Sequence, residues 1–312
     1  MAKYLQSKIA RSRQSLTVTS LYAILIWILS GLVSQGWWCQ FGCFALTAYL
    51  VLQLNNANAL IRVYSRMVSC AFLVLACCAN FMFPLLREGI MLLCITAFYL
   101  ILFSTYQDQD SPGKTFYAFL FFGTATIVYV QVFYLLPVFW ILMATNIMSL
   151  SWRTWIASLI GIVTPYWLCL GWYLVKGTLP FSKHHLEGLL QFQKPFDYAI
   201  LTVNQQAIIC FLALLALIGT GHCLRQSYLD KIRTRLFYGV FIWMDLLLFA
   251  LLAIQPQHYH ALLQLLLLNT APLAGHFLAL SNNKVSNITF FILIAIALAL
   301  TADSLWNISS LF

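Results

Sequence analysis

The sequence has very little charge, and acidic residues are the scarcest. Only 8% of the 312 residues are charged, and 8 Asp and Glu residues stand against 17 Lys and Arg residues. An ordinary soluble domain carries about 25% charged residues. A chain with so few charges cannot cover a water-exposed surface, which excludes the common classes of soluble enzyme.

Two further patterns are absent. The nine cysteines include no CxxC pair, and no Cys/His spacing typical of a metal site occurs. Most of the cysteines lie within apolar runs, where thiols behave as small hydrophobic residues. The apolar runs also lack the alternation with period two that a membrane β-barrel requires. We therefore expect no disulfide framework, no metal site and no cofactor.

The sequence is rich instead in long apolar runs. Hydrophobic residues make up 62% of the chain, and the mean hydropathy is +0.87. A membrane-spanning helix needs roughly 20 apolar residues, and backbone in lipid must be helical when it is not in a closed barrel. The sequence predicts an all-α, polytopic transmembrane bundle that forms one domain over residues 1–312.

About eleven spans are predicted from the lengths of these runs. The first four cover residues 16–33, 39–54, 68–83 and 89–106, and the last four cover 200–219, 236–254, 261–280 and 288–302. Three spans lie between 114 and 177: two helices joined by a tight turn at 131–134, a cationic turn at 151–153, and a helix broken at Thr164-Pro165. Residues 178–198 form a polar external loop with the spacing of an interfacial amphipathic helix.

The distribution of basic residues predicts the orientation of the bundle. With the amino terminus in the cytoplasm, 13 of the 17 Lys and Arg residues fall on the inner side, including four in the basic segment 1–15. This agrees with the positive-inside rule. The rule accounts for the net charge of +9 without a nucleic-acid partner. It favours a multi-pass membrane protein with a cytoplasmic amino terminus and an external carboxyl terminus.

Candidate catalytic residues gather on the predicted outer side. Imidazoles and carboxylates beside an outward cavity supply general bases or bind a substrate, although histidine is also common at membrane interfaces. The candidates for catalysis are His184, Glu187, His258 and Asp303, and His260 is a candidate for substrate binding.

Amides and arginines close to the bilayer form a second group, on the predicted inner side. Asn55 and Asn56 precede Arg62 and Arg66, and arginine with neighbouring amides can hold a phosphate head group through paired hydrogen bonds. Membrane orientation explains the arginines without a ligand, so both interpretations stay open.

Asp245 is the one carboxylate deep in an apolar run. A charge at the middle of a bilayer costs about 2.5 to 3.5 kcal/mol on insertion scales, so such a residue is protonated, paired or in contact with a cavity. It is a candidate proton or ion site, or else a neutral carboxyl bonded to a neighbouring helix. Polar residues of the eighth and tenth spans, His276 among them, are interpreted as interhelical hydrogen-bonding groups, with a proton relay as the alternative for His276.

The chain resembles a family of polytopic inner-membrane proteins of Bacteroidota whose activity is unknown. The resemblance rests on Leu54-Asn55-Asn56 with Arg62 and Arg66, on the hairpin at Tyr134 to Pro137, on residues 151–155, and on residues 159–167. It implies an inner-membrane location.

In their succession of helices and turns, residues 121–165 are also similar to membrane glycosyltransferases that use polyprenyl-phosphate sugars, which are GT-C-type enzymes. That similarity implies a role for the inner turn with Arg153 in binding a lipid-linked substrate. The essential carboxylate of such enzymes lies in the first external loop, where this chain has only SQGWWCQ at 34–40. Glu187 or Asp303 would then have to take its place.

Three classes of function follow. In the first, the protein handles a lipid-linked or amphiphilic substrate in envelope assembly, with membrane lipids as its partners. In the second it is a proton-coupled transporter that uses Asp245, and in the third a non-catalytic scaffold for other membrane helices. Discontinuous helices or an internal repeat would favour transport, and neither is evident. We expect the first class.

Overall fold

The computed structural model describes residues 4–176, 189, 196 and 198–309, and within these ranges the regular structure is helical throughout. Twelve α-helices are described. They are α1 (Leu5–Arg11), α2 (Gln14–Leu29), α3 (Trp38–Asn58), α4 (Met67–Cys78), α5 (Leu86–Phe103), α6 (Pro112–Val128), α7 (Leu136–Thr145), α8 (Trp152–Lys176), α9 (Val203–Gln226), α10 (Ile232–Ile254), α11 (Tyr259–Leu280) and α12 (Lys284–Ser309). Short 3₁₀ turns lie at Asn80–Met82, Val130–Leu135, Tyr198–Ile200, Ser227–Leu229 and Pro256–His258.

Contacts between loops show that successive helices from α2 to α12 run in alternate directions. At one end Ser65 donates to the carbonyl of Ala10 (2.7 Å), and Asn146 donates to the carbonyl of Leu236 (3.0 Å). We call this the basic end; it comprises residues 59–66, 104–111, 146–151, 227–231 and 281–283. At the opposite end Asn80 donates to the carbonyl of Thr301 (3.2 Å).

Six of the described helices are long and apolar enough to cross a membrane, namely α5 and α8 to α12. The apolar stretches at α2, at α4 and at Val130–Thr145 are shorter. An all-helical chain with six such helices has the architecture of a membrane protein, which confirms the predicted fold class at this level.

Helix α11 is the centre of the bundle. It carries leucine and alanine on every side rather than on one stripe, and a helix that is apolar all round is one that other helices surround. Nearly every residue from Tyr259 to Ala279 is buried. Small residues bring its neighbours close: a Cβ on Gly219 of α9 would lie 2.8 Å from Leu273, and a Cβ on Gly275 would lie 2.8 Å from the Cα of Val68 in α4.

Helices α6 and α8 form an equally close pair through two glycines. A Cβ on Gly161 would lie 2.6 Å from the carbonyl oxygen of Phe116, and a Cβ on Gly123 would lie 2.7 Å from that of Ile162. Such contacts are shorter than ordinary van der Waals distances, so only glycine permits this approach. Small residues have this role at many interfaces between membrane helices.

The predicted break at Thr164-Pro165 is wrong, because α8 continues from Trp152 to Lys176 with Pro165 inside it. Proline removes the backbone donor that would bond the carbonyl of Gly161, but Pro165 packs against α6, where a Cβ on Gly123 would lie 3.1 Å from Cγ of Pro165. Neighbouring helices help membrane helices to tolerate proline. The predicted tight turn at 131–134 is confirmed as the 3₁₀ turn Val130–Leu135. The external helix predicted at 178–198 falls largely outside the described residues.

The amino-terminal basic segment contains a helix that packs on the bundle. The Gln6 amide donates to Ser281 (2.7 Å) and to the carbonyl of Leu278 (2.9 Å). These bonds fix α1 across the end of α11 and place the residues that follow it against α2 and α4.

Candidate functional site

A group of buried ionisable side chains lies at the basic end, and we call it the His–Asp cluster: His222, Asp230 and His276, with Arg62. His222 lies near the end of α9, His276 near the end of α11, Asp230 in the connection to α10 and Arg62 in the α3–α4 loop. The close approach of α9 and α11 at Gly219 and Leu273 explains the position of the two histidines. Both helices run toward the basic end, so one turn further on each helix presents its histidine to the other.

The cluster is joined by short polar contacts. Asp230 Oδ2 lies 3.0 Å from His276 Nε2, and its Oδ1 lies 3.6 Å from Arg62 Nη1. Nδ1 of His276 lies 3.2 Å from Nδ1 of His222. The side chain of His276 is fully buried and that of Asp230 is 4% exposed, whereas Arg62 is 30% exposed. Arg62 also donates to Gln226 at 3.1 Å.

Three buried polar atoms of this region have no hydrogen-bond partner among the described residues. They are Nε2 of His222, the hydroxyl of Tyr238 and Oδ1 of Asp230, which has only the ion pair with Arg62 at 3.6 Å. The Tyr238 ring packs edge-on against the His276 ring, with 4.7 Å between centroids. A buried polar atom without a partner is uncommon and marks a place where a proton, a water molecule or a ligand atom can bind.

The other predicted inner residues have separate surroundings. Asn55 is buried and its amide donates to the carbonyl of Ser65 (3.0 Å), while Asn56 is exposed. Arg66 lies over the ring of Tyr64, 5.9 Å from its centroid. Of the predicted phosphate-binding group, Arg62 alone joins the His–Asp cluster.

Two further arginines at this end differ in their burial. Arg153 pairs with Asp110 at 3.4 Å, and both side chains are exposed. Arg233 is partly buried, donates to Asn58 (2.8 Å) and lies over the rings of Tyr106 and Phe237. The exposed pair therefore contributes little to stability, because water screens it.

A second polar group lies at the opposite end. The Tyr129 hydroxyl lies 2.9 Å from Nδ1 of His258. Burial raises the pKa of the Tyr129 phenol, and the nearby charge of Glu88 raises it further. The phenol therefore stays protonated, and it shares one hydrogen bond with His258 whose direction follows the tautomer of the histidine. Glu88 also acts electrostatically on His260, which is half-buried next to Phe81.

Replacing Tyr129 with phenylalanine is expected to reduce the free energy of unfolding by about 1 to 2 kcal/mol, because half-buried His258 loses its hydrogen-bond partner. Tyr117→Phe is the matched control, since Tyr117 is 59% exposed. Denaturation in mixed micelles, followed by tryptophan fluorescence, measures both variants. Equal stability of the two would contradict a stabilising role for the Tyr129–His258 bond.

The remaining catalytic candidates are His184, Glu187 and Asp303. His184 and Glu187 lie outside the described residues. Asp303 is exposed on α12, whereas the adjacent Ser304 is buried and hydrogen-bonds Asn80. Their catalytic roles stay predictions.

Asp245 is 3% exposed in the middle of α10, where the hydroxyl of Thr270 in α11 donates to its Oδ2 at 3.2 Å. Nearby, Tyr99 donates to Asn269 at 2.9 Å. These bonds agree with the interhelical role predicted for polar residues of the tenth span. Within the part of the chain that is described, no group of three or more His, Cys, Asp and Glu residues is placed to hold a metal ion.

A cavity of about 430 Å³ opens beside α11 at its basic end. We call it the lipid-facing cavity. Its walls are formed by α2, α4, α9, α11 and α12, and nearly all of its lining is aliphatic or aromatic. Ser12, Gln14 and Ser15 provide polar groups where the α1–α2 connection closes it. Its apolar lining includes Val18 of α2 and Ile294 of α12.

Comparison with known proteins adds no relative: no family model, no curated protein and no solved structure matches this chain. The candidate site therefore rests on the geometry of the described residues alone.

Sequence reasoning missed Asp230, His222 and Tyr129. A signal for Asp230 was present, because it is the single carboxylate in the basic stretch from Arg225 to Arg235. An acidic residue alone among cations at a membrane boundary has a reason to pair. No comparable signal marks Tyr129, since the chain has 15 tyrosines.

Proposed function

We propose that this protein is a multi-pass protein of a bacterial inner membrane that binds a lipid-linked or other amphiphilic substrate in envelope assembly. The observation that supports the proposal most is the lipid-facing cavity. Its volume falls within the usual range of ligand pockets, about 300 to 1,000 Å³. An apolar space bounded by membrane helices suits an acyl or polyprenyl chain.

The polar groups at one end of the cavity suit a head group. Ser12, Gln14 and Ser15 offer hydrogen bonds there, and the exposed side chains of Arg11 and Arg13 lie next to them in sequence. Basic residues at a membrane surface attract anionic lipids. We therefore propose an anionic amphiphile whose tail lies between α2, α4 and α12.

The alternating directions of the helices support the membrane topology that we propose. In it, α2 to α12 all cross the membrane, the basic end faces the cytoplasm and the amino terminus lies inside. The basic loops then obey the positive-inside rule. The resemblance to Bacteroidota inner-membrane proteins and to polyprenyl-phosphate-dependent glycosyltransferases agrees with it, and Glu187 and Asp303 remain the carboxylates to replace once an activity is measured.

Transport through Asp245 and a purely scaffolding role are the alternatives. Asp245 does not line the lipid-facing cavity. No specific observation favours either alternative over binding of an amphiphile.

Filling the cavity is expected to weaken lipid binding. The double variant Val18→Trp/Ile294→Trp places indole rings at the cavity from α2 and α12, at positions that are 64% and 39% exposed, so folding is preserved. Binding of dioleoyl phosphatidic acid, measured by native mass spectrometry, is expected to weaken about tenfold, or about 1.4 kcal/mol.

Ile160→Trp is the control, because Ile160 is 54% exposed on α8, away from the cavity. Equal binding by the double variant and the control would overturn the proposal. Equal affinity for phosphatidylcholine and phosphatidic acid would retain the tail site and reject the anionic head group.

A further inference from the structure

Asp230 determines the proton positions in the His–Asp cluster. A carboxylate paired with a guanidinium has no proton to donate and acts only as an acceptor. Its Oδ2 lies 3.0 Å from Nε2 of His276. That nitrogen must therefore carry the hydrogen, and the bond is charge-assisted.

The same reasoning extends to the second histidine. A neutral imidazole with its hydrogen on Nε2 has a lone pair on Nδ1. Nδ1 of His276 lies 3.2 Å from Nδ1 of His222, so His222 is the donor in this bond. Nε2 of His222 is then a free acceptor, and it has no partner among the described residues.

We propose that His222, His276 and Asp230 form a proton-binding relay at the basic end of the bundle. A proton binds to Nε2 of His222, and His222 passes the hydrogen on its Nδ1 to Nδ1 of His276. One N–H bond forms at each of these two acceptors and one breaks at His222. The added positive charge comes to rest on His276, in contact with the Asp230 carboxylate.

The groups around the relay agree with the uptake of a single proton. Arg62, Arg225 and Asp230 are the charged groups that act on His222. Tyr238 faces His276, and Cys223 lies near Asp230. Asp230 is the only carboxylate in this set and already compensates Arg62. A second proton would place two imidazolium rings in contact, which like-charge repulsion opposes.

This relay is a different proton site from Asp245. Asp245 is buried in the middle of the α10–α11 contact, with a hydroxyl donor as its partner. His222 is only partly buried near the end of α9, where protons from water have a shorter route. The relay does not depend on the lipid-facing cavity or on the nature of any substrate.

Histidine nitrogen shifts test the relay directly. The full chain is labelled with ¹⁵N-histidine, placed in lipid nanodiscs and titrated by NMR, with signals assigned from His222→Gln and His276→Gln. At neutral pH we expect the Nε2–H tautomer for His276 and the Nδ1–H tautomer for His222. On acidification both signals should change in one common transition, as coupled sites do.

Asp230→Asn is expected to divide that transition into two steps and to remove the preference of His276 for the Nε2–H tautomer. Asp110→Asn is the control, because Asp110 is exposed at the same end, and it should leave both signals unchanged. If Asp230→Asn does not fold, the two tautomers and the common transition in the wild-type spectra test the relay by themselves. Opposite tautomers, or independent transitions of the two histidines in wild-type protein, would overturn the relay.

Discussion

Replacing Gly161 with valine is expected to leave little folded protein. The added Cβ would lie 2.6 Å from the carbonyl oxygen of Phe116 and 3.0 Å from the Cβ of Phe119. Backbone atoms cannot rotate away as a side chain can, so α6 and α8 would have to separate. Overpacking of this kind costs about 3 kcal/mol at the upper end of its usual range. The fraction of monodisperse protein in mild detergent measures the loss.

Gly171→Val is the control on the same helix. A Cβ at Gly171 would meet no atom within 4 Å, so this variant should behave as wild type. Gly123→Val should resemble Gly161→Val, because its Cβ would lie 2.7 Å from the carbonyl oxygen of Ile162. If Gly161→Val and Gly171→Val were equally well folded, the close contact between α6 and α8 would be wrong.

The existence of these helices was predictable from the sequence, and their pairing was not. Long apolar runs indicate helices, and the boundaries of α10 and α11 agree with the predicted spans to within about four residues. The partner of Gly161 could not be predicted, because apolar periodicity does not say which helix lies against which face. Pro165 shows the same limit: its local effect is to break a helix, but packing against Gly123 of α6 keeps α8 continuous.

The candidate site was predicted only in part for a related reason. Arg62 and His276 were recognised as polar residues in unusual places, but they are separated by more than two hundred residues in the chain. Their common partner, Asp230, lies in a basic loop. The positive-inside rule accounts for the cations of that loop without an ion pair. The contact between them depends on the parallel approach of α9 and α11 at Gly219, which is a tertiary feature.

Removing the carboxylate of Asp230 is expected to destabilise the protein more than removing the guanidinium of Arg62. Asp230→Asn leaves Arg62 and the Nε2–H group of His276 without their anion, and both Asp230 and His276 are buried. Breaking a buried ion pair costs about 3 kcal/mol or more. Arg62→Met leaves Asp230 bonded to His276, and Arg62 is 30% exposed, so we expect a loss of about 1 kcal/mol.

The midpoint of unfolding in mixed micelles compares these variants with Arg153→Met, which breaks the exposed pair with Asp110 and should change stability by no more than about 0.5 kcal/mol. In the double variant Arg62→Met/Asp230→Asn the losses should be less than additive, because Asp230→Asn already removes the ion pair that Arg62→Met breaks. A larger loss for Arg62→Met than for Asp230→Asn would mean that His276 does not depend on Asp230, and additive losses would mean that Arg62 and Asp230 do not interact. The proton assignment of the relay requires the bond between Asp230 and His276. The order of the stability losses therefore tests that assignment without a pH titration.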